Sequence, residues 1–233
     1  MHSRQPCVGP GMTTLGLIGS GHIGGTVARL AVAAGHRVVL SNSRGPQTLQ
    51  DLAAELGPLA RAATGAEAAG ASDIVLVAIP FKAFTSVPAG PLAGKVVIDS
   101  NNYYPPRDGQ IAELDSGSVT SSELLQRHLP SAQVVKLFNN IFFRHLLNLT
   151  RPASDADRSY LPIAGDDAQA KATVTAFLDS IGYGTVDAGP LAEGWRQQPG
   201  TAVYGTPYGS FDDEKGKPAS ADVITAALAG AIR

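Results

Sequence analysis

Gly19-Ser20-Gly21-His22-Ile23-Gly24 has the G-x-G-x-x-G spacing that sets a dinucleotide's pyrophosphate on the first turn of a helix. Gly19 permits the tight turn, Gly21 leaves no side chain in the path of the phosphates, and Gly24 allows close packing of the helix. An NAD-binding chain usually carries Asp or Glu about 20 residues further on, to hold the ribose hydroxyls. Here the corresponding stretch is Ser41-Asn42-Ser43-Arg44-Gly45, with no acid. Its hydroxyls and guanidinium suit a dianionic 2′-phosphate, which Arg can grip with two charge-assisted hydrogen bonds. The spacing therefore predicts NADP(H) as cofactor. The alternative is a purely structural loop, with Arg44 solvated and the serines acting as turn formers.

Three further sets follow apolar runs of strand length: Ile79-Pro80-Phe81, Ser100-Asn101-Asn102-Tyr103-Tyr104-Pro105-Pro106, and Phe138-Asn139-Asn140. The apolar members can pack on a nicotinamide face, and the asparagine amides can hydrogen-bond its carboxamide or a second ring. Asn and Pro are also ordinary turn residues. Asp99 and Lys136 end adjacent predicted strands, either as a pair that orients the site or as a structural salt bridge or solvated strand ends. Hydride transfer needs no protein nucleophile, only two rings held in near-attack contact. Consistent with that, the sequence has no catalytic triad, no H-E-x-x-H and no paired-carboxylate spacing. Its five histidines are scattered, and no metal site is expected.

The elements that must position these residues alternate. Leu15, Leu17 and Ile18 form a strand before the glycines. Ile23, Val27, Leu30, Ala31 and Ala34 recur at helical spacing up to Gly35, and Val38-Val39-Leu40 follows as the second strand. Further strands are predicted at 60–63, 74–79, 95–99, 133–138, 159–164 and 183–187, and helices at 46–56, 141–149, 166–181 and 220–232. Such alternation implies an α/β, Rossmann-type, doubly wound parallel sheet, with ligands outside the carboxyl ends of its strands. Residues 12–141 are expected to form the NADP-binding domain. Residues 142–233 would form a smaller α/β acceptor-side and oligomerisation region, and 1–11 a disordered leader.

At 233 residues and a formal charge of −2, the chain offers no electrostatic case for nucleic acid. Its one cysteine, Cys7, excludes a disulfide framework. No signal peptide or membrane-spanning run is visible, so a cytoplasmic location is expected.

GLIGSGHIGG, the NSR loop, VVKLFNN, IAGDD and DAGPL occur in that order. On these motifs the chain, from about Thr13 to Leu191, resembles the NADPH:coenzyme F420 oxidoreductase family. It is also similar to the cytosolic reductase domain of STEAP metalloreductases. The resemblance implies hydride transfer between NADP(H) and a ring acceptor, either deazaflavin (coenzyme F420) or a flavin such as FMN or FAD. A small imine or carbonyl substrate and a non-catalytic NADP(H) sensor are the alternatives. The resemblance also implies that Gly19, Ser20, Gly21, His22 and Ile23 meet the pyrophosphate, and that Ser43 and Arg44 meet the 2′-phosphate. It places Ile79 and Pro80 at the nicotinamide, and Asn139 and Leu191 near the stacked rings. A homodimer is expected on the same basis and from the aromatic tail. For that tail, Leu191, Trp195, Tyr204 and Tyr208 are the candidate walls of an acceptor pocket between Leu191 and Phe211. Asn101-Asn102-Tyr103-Tyr104 and the tail after Leu191 depart from the family pattern.

Overall fold

A computed structural model describes residues 11–233; the expected leader, with Cys7, lies outside them except for Gly11. Eight strands form one sheet in the order β3-β2-β1-β4-β5-β6-β7-β8. They are β1 Thr14–Ile18, β2 Arg37–Ser41, β3 Ala60–Ala62, β4 Ile74–Val77, β5 Val96–Asp99, β6 Gln133–Lys136, β7 Tyr160–Gly165 and β8 Gly184–Asp187. The helices are α1 His22–Ala33, α2 Gln50–Leu56, α3 Gly65–Gly70, α4 Pro105–Asp108, α5 Ala112–Asp115, α6 Ser121–His128, α7 Phe143–Asn148, α8 Ala168–Ser180 and α9 Ala221–Ala229. Val75, Leu76, Val77, Val97, Ile98 and Val135 are fully buried, as expected of parallel strands covered on both faces. The strand order reverses at β1, which lies between β2 and β4. That reversal opens the crevice in which doubly wound sheets bind ligands.

Sequence cues fix several helix starts. Thr64 and Glu67 form a capping box on α3, and Thr120 and Glu123 form another on α6. Asp167 caps α8 by accepting from the Ala170 N–H at 2.6 Å. Its neighbour Asp166 instead accepts from the Leu191 N–H at 2.8 Å, which ties the chain after β8 to the end of β7.

The parallel expectation holds from β3 through to β6. β7 runs antiparallel to β6, through Val135 opposite Gly165 and Lys136 opposite Ala164, and β8 pairs parallel with β7. The main core cluster joins Leu15 of β1, Val135 of β6, Leu161 of β7 and Ile224 of α9, so the sheet and its core continue across residue 141. β6 also stops earlier than its apolar run suggests. Phe138 has φ 64°, a left-handed conformation uncommon for a bulky residue, and the chain turns there rather than extending through Phe138. That turn delivers Asn139 and Asn140 to the crevice.

The tail folds back on this turn. The Gly205 N–H donates to the Asn140 carbonyl at 2.8 Å, and Asn140 Nδ2 donates to the Val203 carbonyl at 3.0 Å. Tyr208 is fully buried, whereas Phe211 is 49% exposed. No helix among the described residues is long and apolar enough to cross a membrane.

Candidate cofactor and acceptor site

Two cavities meet at the glycine turn. One, of about 600 Å³, is lined by Gly19, Ser20 and Gly21, by Ser41, Asn42 and Ser43 after β2, by Gly65 at the start of α3, and by Ala78, Ile79 and Pro80 after β4. The other, of about 630 Å³, shares Gly21, Ala78, Ile79 and Pro80. It continues along His22, Ile23, Ser100, Asn101, Asn102, Tyr104, Arg107, the run from Phe138 to Phe143, Tyr204 and Phe211.

The turn is built as its spacing predicts, with one refinement. Gly19 has φ 100°, and a Cβ there would lie 2.2 Å from the Ala78 carbonyl oxygen. A Cβ on Gly24 would lie 2.1 Å from the Gly19 carbonyl oxygen, so the third glycine packs against the turn itself. A Cβ on Gly21 would meet nothing within 4 Å. Gly21 is the N-cap of α1, no side chain caps that end, and no acid stands in its first turn. The N-terminus of α1 therefore presents unsatisfied N–H groups and positive dipole to open space, a fit for pyrophosphate.

In the loop after β2, Ser41 is buried and its hydroxyl donates to the Leu17 carbonyl at 2.5 Å. The Ser41 carbonyl in turn accepts from the Gly19 N–H at 3.1 Å and from Ser20 Oγ at 3.0 Å. The Ser20 hydroxyl thus pins the glycine turn to β2, while the Ser41 hydroxyl ties the end of β2 to β1. Asn42 shapes the loop, its Oδ1 accepting from the Arg44 N–H and its Nδ2 donating to Thr48, both at 2.9 Å. Ser43 lines the cavity. Arg44 beside it is exposed and, among the described residues, forms no ion pair.

On the other side, Asn101 Oδ1 accepts from the Ile79 N–H at 2.9 Å, joining the ends of β4 and β5. Asn101 is itself held from below. Its N–H donates to Asp99 Oδ1 at 2.9 Å, and its carbonyl accepts from Lys136 Nζ. Asp99 Oδ2 also accepts from Ser122 Oγ at 2.6 Å and pairs with Lys136 Nζ at 3.2 Å. Burial pushes the Lys136 ammonium below its ordinary value, and the Asp99 charge opposes that shift. The pair is therefore a buried salt bridge rather than two solvated strand ends, and it carries the backbone of Asn101. Asn102 Nδ2 donates to the Asn139 carbonyl at 2.7 Å, and Asn139 Nδ2 donates to Asn102 Oδ1 at 3.0 Å and to the Gln197 carbonyl at 2.7 Å. These bonds fix the amide orientations. They leave Asn101 Nδ2, Asn139 Oδ1 and Asn140 Oδ1 buried without a protein partner. One donor and two acceptors are thus available for a carboxamide or an imide edge.

The structure separates the remaining candidates. Ile79 and Pro80 line both cavities, but Phe81, expected beside them, lines neither. After Pro80 the chain enters a 3₁₀ turn, Phe81–Ser86, that buries the Phe81 ring completely, 4.8 Å from the ring of Phe84. Leu191 is likewise core, packed with the cluster of Val134 and Leu125. Tyr208 is buried with its hydroxyl donating to the Tyr160 carbonyl at 2.8 Å, and Trp195 lines a different cavity beside Arg233. Of the tail aromatics proposed as walls, only Tyr204 lines the second cavity, joined there by Phe211. Phe142 and Phe143 were missed because a helix was expected from Ile141. That helix begins at Phe143, whose ring stacks on His22 at 4.4 Å and 17°.

Residues 14–103 match the family described as NADP oxidoreductase, coenzyme F420-dependent. The rat metalloreductase STEAP3 (Rattus norvegicus) is 30% identical over 180 residues, 76% of this chain; the chain spans about a third (34%) of the length of that relative. A hypothetical protein from Sinorhizobium meliloti superposes with TM-score 0.70 at 29% identity, covering 81% of this chain and 91% of that one. A proposed F420-dependent NADP reductase from Arthrobacter sp. FB24 gives TM-score 0.64 at 27% identity, covering 78% and 86%. Residues 14–103 therefore carry a domain of the coenzyme F420-dependent NADP oxidoreductase family, and the chain shares the fold of these two bacterial structures.

Proposed function

We propose that this protein is a reductase that transfers hydride from NADPH to a planar ring acceptor, a deazaflavin such as coenzyme F420 or a flavin, in the cavity bounded by Tyr104, Phe142, Phe143, Tyr204 and Phe211. One observation carries this reading. The two cavities share Gly21, Ala78, Ile79 and Pro80, so a single dinucleotide can lie across both and leave room beside its second ring, between aromatic walls.

NADPH supplies the hydride, from the C4 position of its dihydronicotinamide ring. The chain's own groups bind and orient. The N-terminus of α1 receives the pyrophosphate, while Ser43 and Arg44 take the 2′-phosphate. Ile79 and Pro80 back the nicotinamide. Asn101 Nδ2 and Asn139 Oδ1 fix the carboxamide, and so the face presented to the acceptor. Homodimerisation, proposed on the resemblance alone, is tested by sedimentation at micromolar concentration.

The decisive experiment follows absorbance at the reduced-nicotinamide band while deazaflavin, FMN and FAD are added in turn. Oxidation of NADPH that depends on one of them supports the reading. Tight NADPH binding with no oxidation by any of the three would refute it and leave a reductase of a small imine or carbonyl compound, or the non-catalytic sensor.

A further inference from the structure

Hydride transfer leaves an acceptor one proton short, and a nicotinamide cofactor does not supply that proton. Among the titratable side chains lining the second cavity, His22 belongs to the glycine turn assigned to the pyrophosphate, and Arg107 is ion-paired with Asp108. Tyr104 and Tyr204 remain. They stand 100 residues apart in sequence, yet their hydroxyl oxygens are 2.5 Å apart at the cavity wall.

Two phenols sharing one hydrogen bond have one proton committed and one free. Burial and the bond to Tyr104 both push the Tyr204 hydroxyl above its ordinary value, so Tyr204 holds its proton; either oxygen can donate in the shared bond, and in the arrangement where Tyr204 donates the Tyr104 proton is uncommitted. The free proton is then on Tyr104. Loss of that proton leaves a phenolate that already accepts a hydrogen bond from Tyr204. The Arg107 guanidinium lies 4.9 Å from the centre of the Tyr104 ring and is itself paired at 2.8 Å with Asp108, whose carboxylate accepts from the Tyr104 N–H at 2.9 Å. Both tyrosines are partly exposed, so water can return the proton.

We propose that Tyr104 is the acid that protonates the reduced acceptor, and that Tyr204 is the residue that positions and polarises it. The acceptor class this implies is a ring in which the atom receiving hydride is conjugated to a nitrogen or oxygen that takes the proton. The hydride's electron pair forms the new bond on the ring, and the displaced π pair moves to that heteroatom. The Tyr104 O–H bond then breaks to protonate it, and the phenolate regains a proton from water. The sum is acceptor, NADPH and one proton giving reduced acceptor and NADP⁺. The proposal rests on the reductase reading above.

The test compares wild type, Tyr104→Phe and Tyr204→Phe, with FMN as the ring acceptor. Phenylalanine keeps the rings that pack the wall, and thermal melts establish that the variants fold. For Tyr104→Phe, kcat should fall about 100-fold, within the range of general acid catalysis, while the Kd for NADPH stays within about threefold. The solvent isotope effect on kcat and the alkaline limb of its pH profile should disappear. Tyr204→Phe should reduce kcat about tenfold and move that limb rather than remove it. If wild type turns over FMN and Tyr104→Phe matches it in rate, isotope effect and pH profile, the proposal is wrong. It is equally wrong if the loss of rate comes with a matching loss of NADPH affinity or of thermal stability. A wild type that binds NADPH but reduces no acceptor refutes the reductase reading first, and this proposal with it.

Discussion

Lys136 Nζ lies 3.2 Å from Asp99 Oδ2, both side chains are at most 2% exposed, and the same ammonium holds the carbonyl of Asn101. An ion pair this deep repays its desolvation only while both partners are present. Lys136→Met should therefore cost about 3 to 5 kcal/mol by stranding the Asp99 carboxylate. The double variant Lys136→Met with Asp99→Asn should be less destabilised than Lys136→Met alone. Urea denaturation of the three proteins measures this, and a double variant weaker than the single would show that the pair acts by packing rather than charge.

Arg44 should set the choice of nucleotide. Charge-assisted hydrogen bonds from a guanidinium are worth about 1.5 to 3 kcal/mol, roughly tenfold to a hundredfold in affinity. Arg44→Ala should lose that much affinity for NADPH and almost none for NADH. Titration of both nucleotides against both proteins decides it, and an unchanged preference would remove Arg44 from the site.

The glycines of the turn should separate by experiment. A side chain on Gly21 enters open space in the free protein, so Gly21→Val should fold and melt within a few degrees of wild type yet fail to bind NADPH. Gly24→Ala brings a Cβ to 2.1 Å from a backbone oxygen and must displace the turn, so it should lose stability and binding together. Circular dichroism with nucleotide titration reads both halves. A Gly21→Val protein that still binds tightly would refute the assigned phosphate position.

The glycine turn and the elements that flank it were legible in the sequence because their determinants are local. The turn, the helix and the loop after β2 all fall within 14–46, and the strands that carry Ile79, Asn101 and Asn139 announce themselves as apolar runs. Ser41 lines the cavity, yet its hydroxyl is engaged elsewhere: a hydroxyl suits a phosphate and a backbone carbonyl equally well, and only the packing of β1 against β2 shows that it bonds Leu17. Phe81 misled for a related reason. Adjacency to Ile79 and Pro80 does not reveal that the chain turns down after Pro80. The acceptor wall was least legible, since Tyr104 and Tyr204 meet across 100 residues and the tail has too little regular structure for periodicity to place Tyr204, Tyr208 and Phe211. The antiparallel direction of β7 has no local signature at all.

Alkaline pH should unfold the protein through its buried tyrosines. Burial holds the hydroxyls of Tyr183 and Tyr208 well above their ordinary value, and Tyr204 shifts the same way. In the unfolded chain these phenols ionise near pH 10, while in the folded chain they stay protonated. The unfolded state then binds fewer protons, so stability is intact below about pH 10 and falls as pH rises further, by about 1.4 kcal/mol per pH unit for each of the fully buried Tyr183 and Tyr208, and by less for the partly exposed Tyr204. Urea melts between pH 9 and pH 11, with phenolate absorbance recorded in parallel, follow both effects. Tyrosines that ionise near pH 10 before the fold is lost would contradict the burial assigned to them.

The last expectation concerns the outer wall of the acceptor cavity. Phe211 is 49% exposed, its ring 5.5 Å from Phe142 and 6.2 Å edge-on from Tyr204, so it contributes surface to the cavity but little to the core. Phe211→Ala should therefore leave thermal stability nearly unchanged and NADPH affinity within about a factor of three, while raising KM for a ring acceptor several-fold. Tyr208, three residues earlier, should behave in the opposite way. Its ring is fully buried and its hydroxyl bonds the Tyr160 carbonyl, so Tyr208→Ala should cost about 3 to 5 kcal/mol of stability, with no selective effect on acceptor KM in the protein that remains folded. Steady-state kinetics and denaturation on the two variants give the answer. If Phe211→Ala leaves acceptor KM untouched, or Tyr208→Ala changes it selectively at full stability, the acceptor does not lie between the end of β6 and the tail.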